Sequence, residues 1–369
     1  MKIARAAPLV FSVFGVLAFV PGFLDLAPNR LAQGVPIRLL ACAPVWGVLV
    51  ALALVVVAFS AVKGRALLLL GAAGVLVLLV PLAAGAGADA LRMHAPAAAR
   101  AELGPGFWLL LAAAVLATMD AAAALELSLW HRLRVVIRLA VGVGLIAGIG
   151  RLNALSLAQE YIGHHAAFHA AMGRHVLLVA LSLAGAALVG LPLGLASWQR
   201  QGLRAPLFSA LNIVQTLPSI ALFGLLIAPL SWAGLSGIGV VPAVIALVLY
   251  ALLPTVRTVV TGLDGVPGAA VEAAVGLGMS DREVFFQVRL PLAAPALLAG
   301  LRVVVVQAVG LAVVAALIGA GGLGDFVFQG LGQYALDLVL LGALPATALA
   351  LVADAALTFA ADVAARRAA

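Results

Sequence analysis

The sequence predicts an all-α polytopic membrane protein of about ten transmembrane helices, and three observations carry that prediction. Hydrophobic residues make up 65% and charged residues 9% of the chain, with a mean hydropathy of +1.24. A water-soluble globule needs more polar surface than that to cover its outside. A bilayer core of about 30 Å takes roughly 20 apolar residues per helix. Ten such runs lie near 7–24, 39–62, 66–87, 106–125, 135–150, 175–197, 207–229, 239–262, 295–319 and 336–360. Finally, the basic residues stand in ones and twos at the ends of these runs. The net charge of +7 is therefore a set of topology signals and not a phosphate-binding patch, which excludes nucleic acid as a partner.

The first five runs form an N-terminal membrane extension over 1–150. Lys2 and Arg5 precede an apolar run, as in a signal peptide, but no small-x-small cleavage pattern follows before Asp25. The first run is therefore read as a retained helix. Cys42, the lone cysteine, lies inside an apolar run and reads as a small buried hydrophobe. Residues 151–174 follow as an extracytoplasmic amphipathic connector containing Arg151, Glu160, Tyr161, His164, His165, His169 and Arg174. His165 and His169 share a helix face at i, i+4, yet only Glu160 lies nearby to complete a metal site, so a helix resting on the membrane surface is the preferred reading. Residues 175–369 hold the last five runs, with a polar loop over 263–294.

With the N-terminus inside, Lys2, Arg5, Lys63, Arg65, Arg132, Arg134, Arg200, Arg204, Arg282, Arg289, Arg366 and Arg367 face the cytoplasm. Arg30, Arg38, Arg92, Arg100, Arg151 and Arg174 face outward. The twelve-to-six bias puts both termini, and the 263–294 loop, in the cytoplasm.

That loop is a charged island between apolar runs and reads as two short helices broken at a glycine. Pro267 suits a first helical turn, where its missing N–H is no loss, and Gly278 suits a helix end that needs positive φ. Ser280 and Glu283 have capping-box spacing, with Met279 and Val284 placed as a staple. The product is a helix–turn–helix knob offered to another protein.

Glu272-Ala273-Ala274, three residues, Gly278, nine residues, Val288, one residue, Leu290-Pro291 is similar to the cytoplasmic signature of ABC importer permeases, apart from Val288 where isoleucine is usual. The resemblance implies that Glu272, Ala273, Ala274, Gly278, Ser280, Glu283, Leu290 and Pro291 dock on a partner ATPase and pass its closure to the membrane helices. From His175 onward the match narrows. Gly190-Leu191-Pro192-Leu193-Gly194, Gln215-Thr216-Leu217-Pro218-Ser219, Leu249-Tyr250-Ala251-Leu252-Leu253-Pro254 and Ile318-Gly319-Ala320-Gly321-Gly322-Leu323-Gly324 resemble permeases of importers for glycine betaine, choline, carnitine or proline betaine. The five leading helices resemble the longer permease subunit of one branch of that group. The resemblance implies a bacterial cytoplasmic-membrane permease that pairs with a second copy or paralogue, a separate ATPase that binds ATP and Mg²⁺, and an extracytoplasmic solute-binding protein. It leaves the solute open, including an amino acid-like one.

Asn212, Gln215, Thr216 and Ser219 fall at i, i+3, i+4 and i+7, a polar stripe on one membrane helix. Such groups avoid lipid, so the stripe either lines a translocation path, with Tyr250 nearby, or serves as interhelical hydrogen-bond glue. Pro218 kinks the helix beside it. Arg302 reads as snorkelling or paired, with Asp354 a possible partner, and Asp120 and Glu126 are placed to pair with Arg138 or Arg134. Glycines 319, 321, 322 and 324 allow a tight turn at the outer face, read as close packing ahead of a gate. No G-x-x-x-x-G-K-[ST] loop is present, so the chain is no ATP-hydrolysing enzyme and carries no cofactor of its own. An ion-coupled secondary transporter and a membrane enzyme are the rival readings; the first leaves the 272–291 signature unexplained and the two halves dissimilar, and for the second only the weak histidine group near 164–169 qualifies as a site.

Overall fold

The structure is a computed structural model describing residues 6–30, 32–96 and 98–368. Lys2 and Arg5 of the topology reading lie outside the described residues, as does the side chain of Arg367. The chain divides into two compact units, Met1–His164 with Gln333–Asp337, and His165–Gly332 with Leu338–Ala369.

The first unit opens with α1 (Ala6–Leu17), shorter than the 7–24 run from which it was expected. The chain then forms β1 (Leu24–Ala27) and β2 (Val35–Ile37), a one-turn helix α2 (Leu39–Cys42), α3 (Pro44–Val62), α4 (Ala66–Arg92), β3 (Arg100–Leu103), α5 (Pro105–Ala124) and α6 (Leu129–Gly148). The strands make an antiparallel sheet in the order β2-β1-β3, an addition to the all-α expectation. Arg100-Ala101-Glu102-Leu103 alternates half-buried and buried, the period-2 signal of a half-buried strand. In the register Asp25 faces Glu102. Burial, and after it the nearby Asp25 carboxylate, pushes the Glu102 carboxyl above its usual range, and burial does the same to Asp25.

Val50, Leu54, Leu76, Val80, Ala83, Ala84, Leu110 and Ala114 fill the core of this unit. Its small residues let backbones approach: a Cβ on Gly85 would lie 2.0 Å from the Arg151 carbonyl oxygen. Cys42 is buried in the same core.

In the second unit, α7 (Ser156–Gln199) contributes its larger part, followed by α8 (Gln201–Thr216), α9 (Ser219–Trp232), α10 (Val240–Asp264), α11 (Gly268–Gly276), α12 (Asp281–Glu283), α13 (Leu290–Val314), α14 (Gly324–Gly332) and α15 (Leu336–Ala368). The connector expected at 151–174 is no separate element. It enters α7 at Ser156 and continues without a loop, broken only at His164, where φ is −119° and ψ 16°. α10 has a glycine face on either side. Cβ atoms at Gly185, Gly190 and Gly194 of α7 would meet Val248, Thr255 and Val259 at 2.5, 2.8 and 2.7 Å, and one at Gly300 of α13 would meet Thr258 at 2.0 Å. Helices lacking side chains at their crossing gain dispersion contacts in a setting where lipid supplies no hydrophobic drive between them.

Seven helices among the described residues are long and apolar enough to span a membrane, and the bent pair α8 and α9 counts as an eighth. α1 has only 12 residues, and α6 carries His131, Arg132, Arg134 and Arg138 along its first half. With these two, each of the ten apolar runs contains a helix.

Candidate functional site

The knob is built by two closures. α11 starts after Pro267 and ends at Gly276, capped by Leu277 and followed by Gly278 at φ +83°. Gly278 N–H donates to Val275 O at 2.9 Å and Met279 N–H to Ala274 O at 3.2 Å, the bond pair of a helix terminated by a left-handed residue. The next residues form the capping box: the Ser280 N–H donates to Glu283 Oε2 at 2.8 Å, and the Glu283 N–H to Ser280 Oγ at 3.4 Å.

The second helix departs from expectation. It is one turn of α-helix that passes through a π-helical segment, Val284–Arg289, straight into α13. Proline explains the wide turn. Pro291 has no N–H for the carbonyl four residues back and its ring crowds that carbonyl, so the chain shifts to i→i+5 spacing there. The knob is thereby continuous with a membrane helix.

Glu272, Ala273, Gly278, Ser280, Glu283, Leu290 and Pro291 are exposed, while Ala274 is buried and anchors α11. Leu277 is 84% exposed and Val275 and Phe286 lie more than half exposed. These three apolar residues were missed in the sequence because hydropathy marks them as core. Arg204 was also read only as a topology charge. It forms two bonds to the Asp264 carboxylate, at 2.8 and 3.0 Å, and donates to the carbonyls of Ser197 and Trp198 at the end of α7. One guanidinium thus ties together the ends of α7, α8 and α10 beside the knob.

The polar stripe does not lie on one helix. Leu217 (φ −69°, ψ 134°) and Pro218 (φ −57°, ψ 136°) are both extended, so α8 stops at Thr216 and α9 leaves at 104°. A residue before proline is forced out of the helical region, and here proline follows with an extended ψ of its own. Asn212, Gln215 and Thr216 remain on α8, and Ser219 starts α9. The break is supported by Tyr250 of α10, whose hydroxyl donates to Leu217 O at 2.5 Å, while Gln215 Nε2 donates to Tyr250 O at 2.5 Å. Thr216 Oγ1 donates to Ile213 O at 2.7 Å, and Asn212 is exposed. Irregular backbone at membrane depth persists only where such partners satisfy it or water reaches it.

Glu160, weighed as a metal ligand, is buried and engaged by Arg100 at 2.6 Å, Arg30 at 3.2 Å and His164 at 3.3 Å. Arg302 pairs with Asp354. Gly319, Gly321 and Gly322 all have positive φ, and a Cβ on Gly324 would meet Val313 O at 2.0 Å, in keeping with the close-packing reading.

Residues 186–368 match the family model described as binding-protein-dependent transport system inner membrane component. The osmoprotectant import permease protein OsmW of Salmonella typhimurium is 41% identical over 49% of this chain and 84% of its own length. The chain belongs to this permease family. Two relatives from Bacillus subtilis fall in the same group: the choline transport permease OpuBB, 38% identical over 49% of this chain and 80% of its own, and the glycine betaine/carnitine/choline permease OpuCB, 37% identical over 49% and 81%. Residues 4–158 match the N-terminal domain of the ABC transporter permease YehY, so the permease carries a second family segment in front of its core. An inward-facing structure of the methionine ABC transporter MetNI aligns with 56% of the permease and 98% of its own chain, at 21% identity and a TM-score of 0.47.

Proposed function

We propose that this permease forms, with a second permease copy or paralogue, the membrane path of an ATP-driven importer for osmoprotectants of the choline, glycine betaine and carnitine class. One observation carries the reading: the exposed knob at 267–291 continues without a break into α13 in a chain 41% identical to an osmoprotectant import permease. A continuous helical link lets the movement of a docked partner reach the membrane.

In this reading Glu272, Ala273, Gly278, Ser280 and Glu283 face the ATPase groove, with Ala274 holding the helix, Leu290 and Pro291 closing the wide turn, and Val275, Leu277 and Phe286 as the apolar contact. ATP and Mg²⁺ stay on the ATPase, and the permease itself is non-enzymatic. Both termini and the knob face the cytoplasm of a bacterial inner membrane. The solute passes beside the broken helix, where Asn212, Gln215, Thr216 and Ser219 offer weak polar contacts and the buried Tyr250 holds the break, while a separate extracytoplasmic binding protein selects it.

The test is reconstitution with the candidate ATPase and binding protein in liposomes, followed by ATP-dependent uptake of radiolabelled choline and glycine betaine. Uptake that needs all components supports the reading. Uptake driven by an ion gradient without ATP refutes it.

A further inference from the structure

Between α7, α10 and α13 of the second unit lies a groove of about 370 Å³ whose wall includes Leu191, Leu195, Val259, Leu263, Leu297 and Leu301. Its only polar side chains are Thr255 and Thr258, and the Thr255 hydroxyl already donates to Ala251 O at 2.7 Å. A hydrated or charged solute finds no partner there, so the groove is no part of a solute path. Hydrocarbon fits it.

One end is different. Phe285 lines the groove, its ring 6.2 Å from that of Trp198, and the Arg289 guanidinium sits 5.1 Å from the Trp198 ring, both behind Phe285 and outside the lining itself. Nearby Arg204 is neutralised by Asp264, whereas Arg289 has no carboxylate partner among the described residues. An apolar slot with an indole and a spare cation stacked behind one of its lining aromatic residues has the polarity of a phospholipid, chain inward and headgroup at the aromatic belt.

We propose that the groove holds an acyl chain of an anionic phospholipid whose phosphate is met by Arg289. The site bears on coupling, because Phe285 and Leu290 line it and both belong to the turn that joins the knob to α13. An occupied groove holds that turn in place; an empty one leaves it loosely packed.

The test is melting of the full-length permease in detergent, titrated with phosphatidylglycerol or with phosphatidylcholine of the same chains. Wild type is expected to need less phosphatidylglycerol for half of the melting shift. Arg289→Gln should erase that preference, about fivefold, since one basic residue near an anionic surface contributes about 1 kcal/mol, and Arg289→Lys should keep most of it. Ala187→Trp, which fills the groove, should abolish the response to both lipids; Leu298→Trp serves if the first variant does not insert. Glycerol phosphate without chains should have no effect. Equal response to the two lipids in wild type, or an undiminished preference in Arg289→Gln, overturns the proposal. So does crosslinking of two copies through Leu298→Cys in a Cys42→Ala background, because a second permease then occupies the groove.

Discussion

Gly278 offers the sharpest test of the knob. Its φ is +83°, and a Cβ built there meets nothing within 4 Å. Substitution is therefore costly through backbone conformation alone, roughly 1–2 kcal/mol for a residue with a Cβ in the left-handed region, and less for asparagine. The helix it closes has nine residues. Isolated helices below about 12–15 residues are marginal, so α11 has little reserve against such a cost. At about 1.4 kcal/mol per tenfold change, Gly278→Ala should lower the ratio of closed to open turn about tenfold and Gly278→Val more, with Gly278→Asn near wild type. The assay is ATP-driven uptake in proteoliposomes beside ATP hydrolysis by the complex, with inserted permease quantified. Transport should fall in the order Asn, Ala, Val while insertion is unchanged. Wild-type uptake by Gly278→Val would refute the reasoning, and so would loss that tracks side-chain size irrespective of left-handed preference, since space is open there.

Tyr250→Phe should leave the part-buried Leu217 carbonyl at the α8–α9 break without its donor, a cost of about 1 kcal/mol, seen as a lower melting temperature and slower uptake. Gln215→Leu should reduce the maximal uptake rate far more than it changes the half-saturating solute concentration; a large affinity shift at full rate would move solute recognition into this permease. Labelling of single cysteines in a Cys42→Ala background should find position 282 accessible only from the cytoplasm and position 169 only from outside, and both on one face would overturn the topology. Glu102 has a folded-state pKa raised by burial and by Asp25, so its protonated form favours the fold at low pH and that contribution is lost as pH rises through the folded pKa. Glu102→Gln should therefore raise the melting temperature at pH 8 and leave it unchanged near pH 4, as a pH series of melts will show.

Composition, apolar runs and the spacing from Glu272 to Pro291 were sufficient for the membrane class, the ten helical segments and the knob with its two closures. Each of these is local: run length against bilayer thickness, a glycine at a helix end, a serine three residues before a glutamate. Tertiary structure decided what depends on residues far apart. The i, i+7 pattern placed Ser219 on the face of Asn212, but two extended residues at 217–218 turn the chain by 104°, and the break is supported by Tyr250, 33 residues away from the carbonyl it satisfies. The strands at 24–27, 35–37 and 100–103 are too short to register as sheet until the third pairs across the whole of α3 and α4. Arg204 and Arg289 look alike in sequence, and only the fold gives one a carboxylate and the other an indole. A charge at a helix end predicts which side of the membrane it faces; its partner is set by which helices cross there.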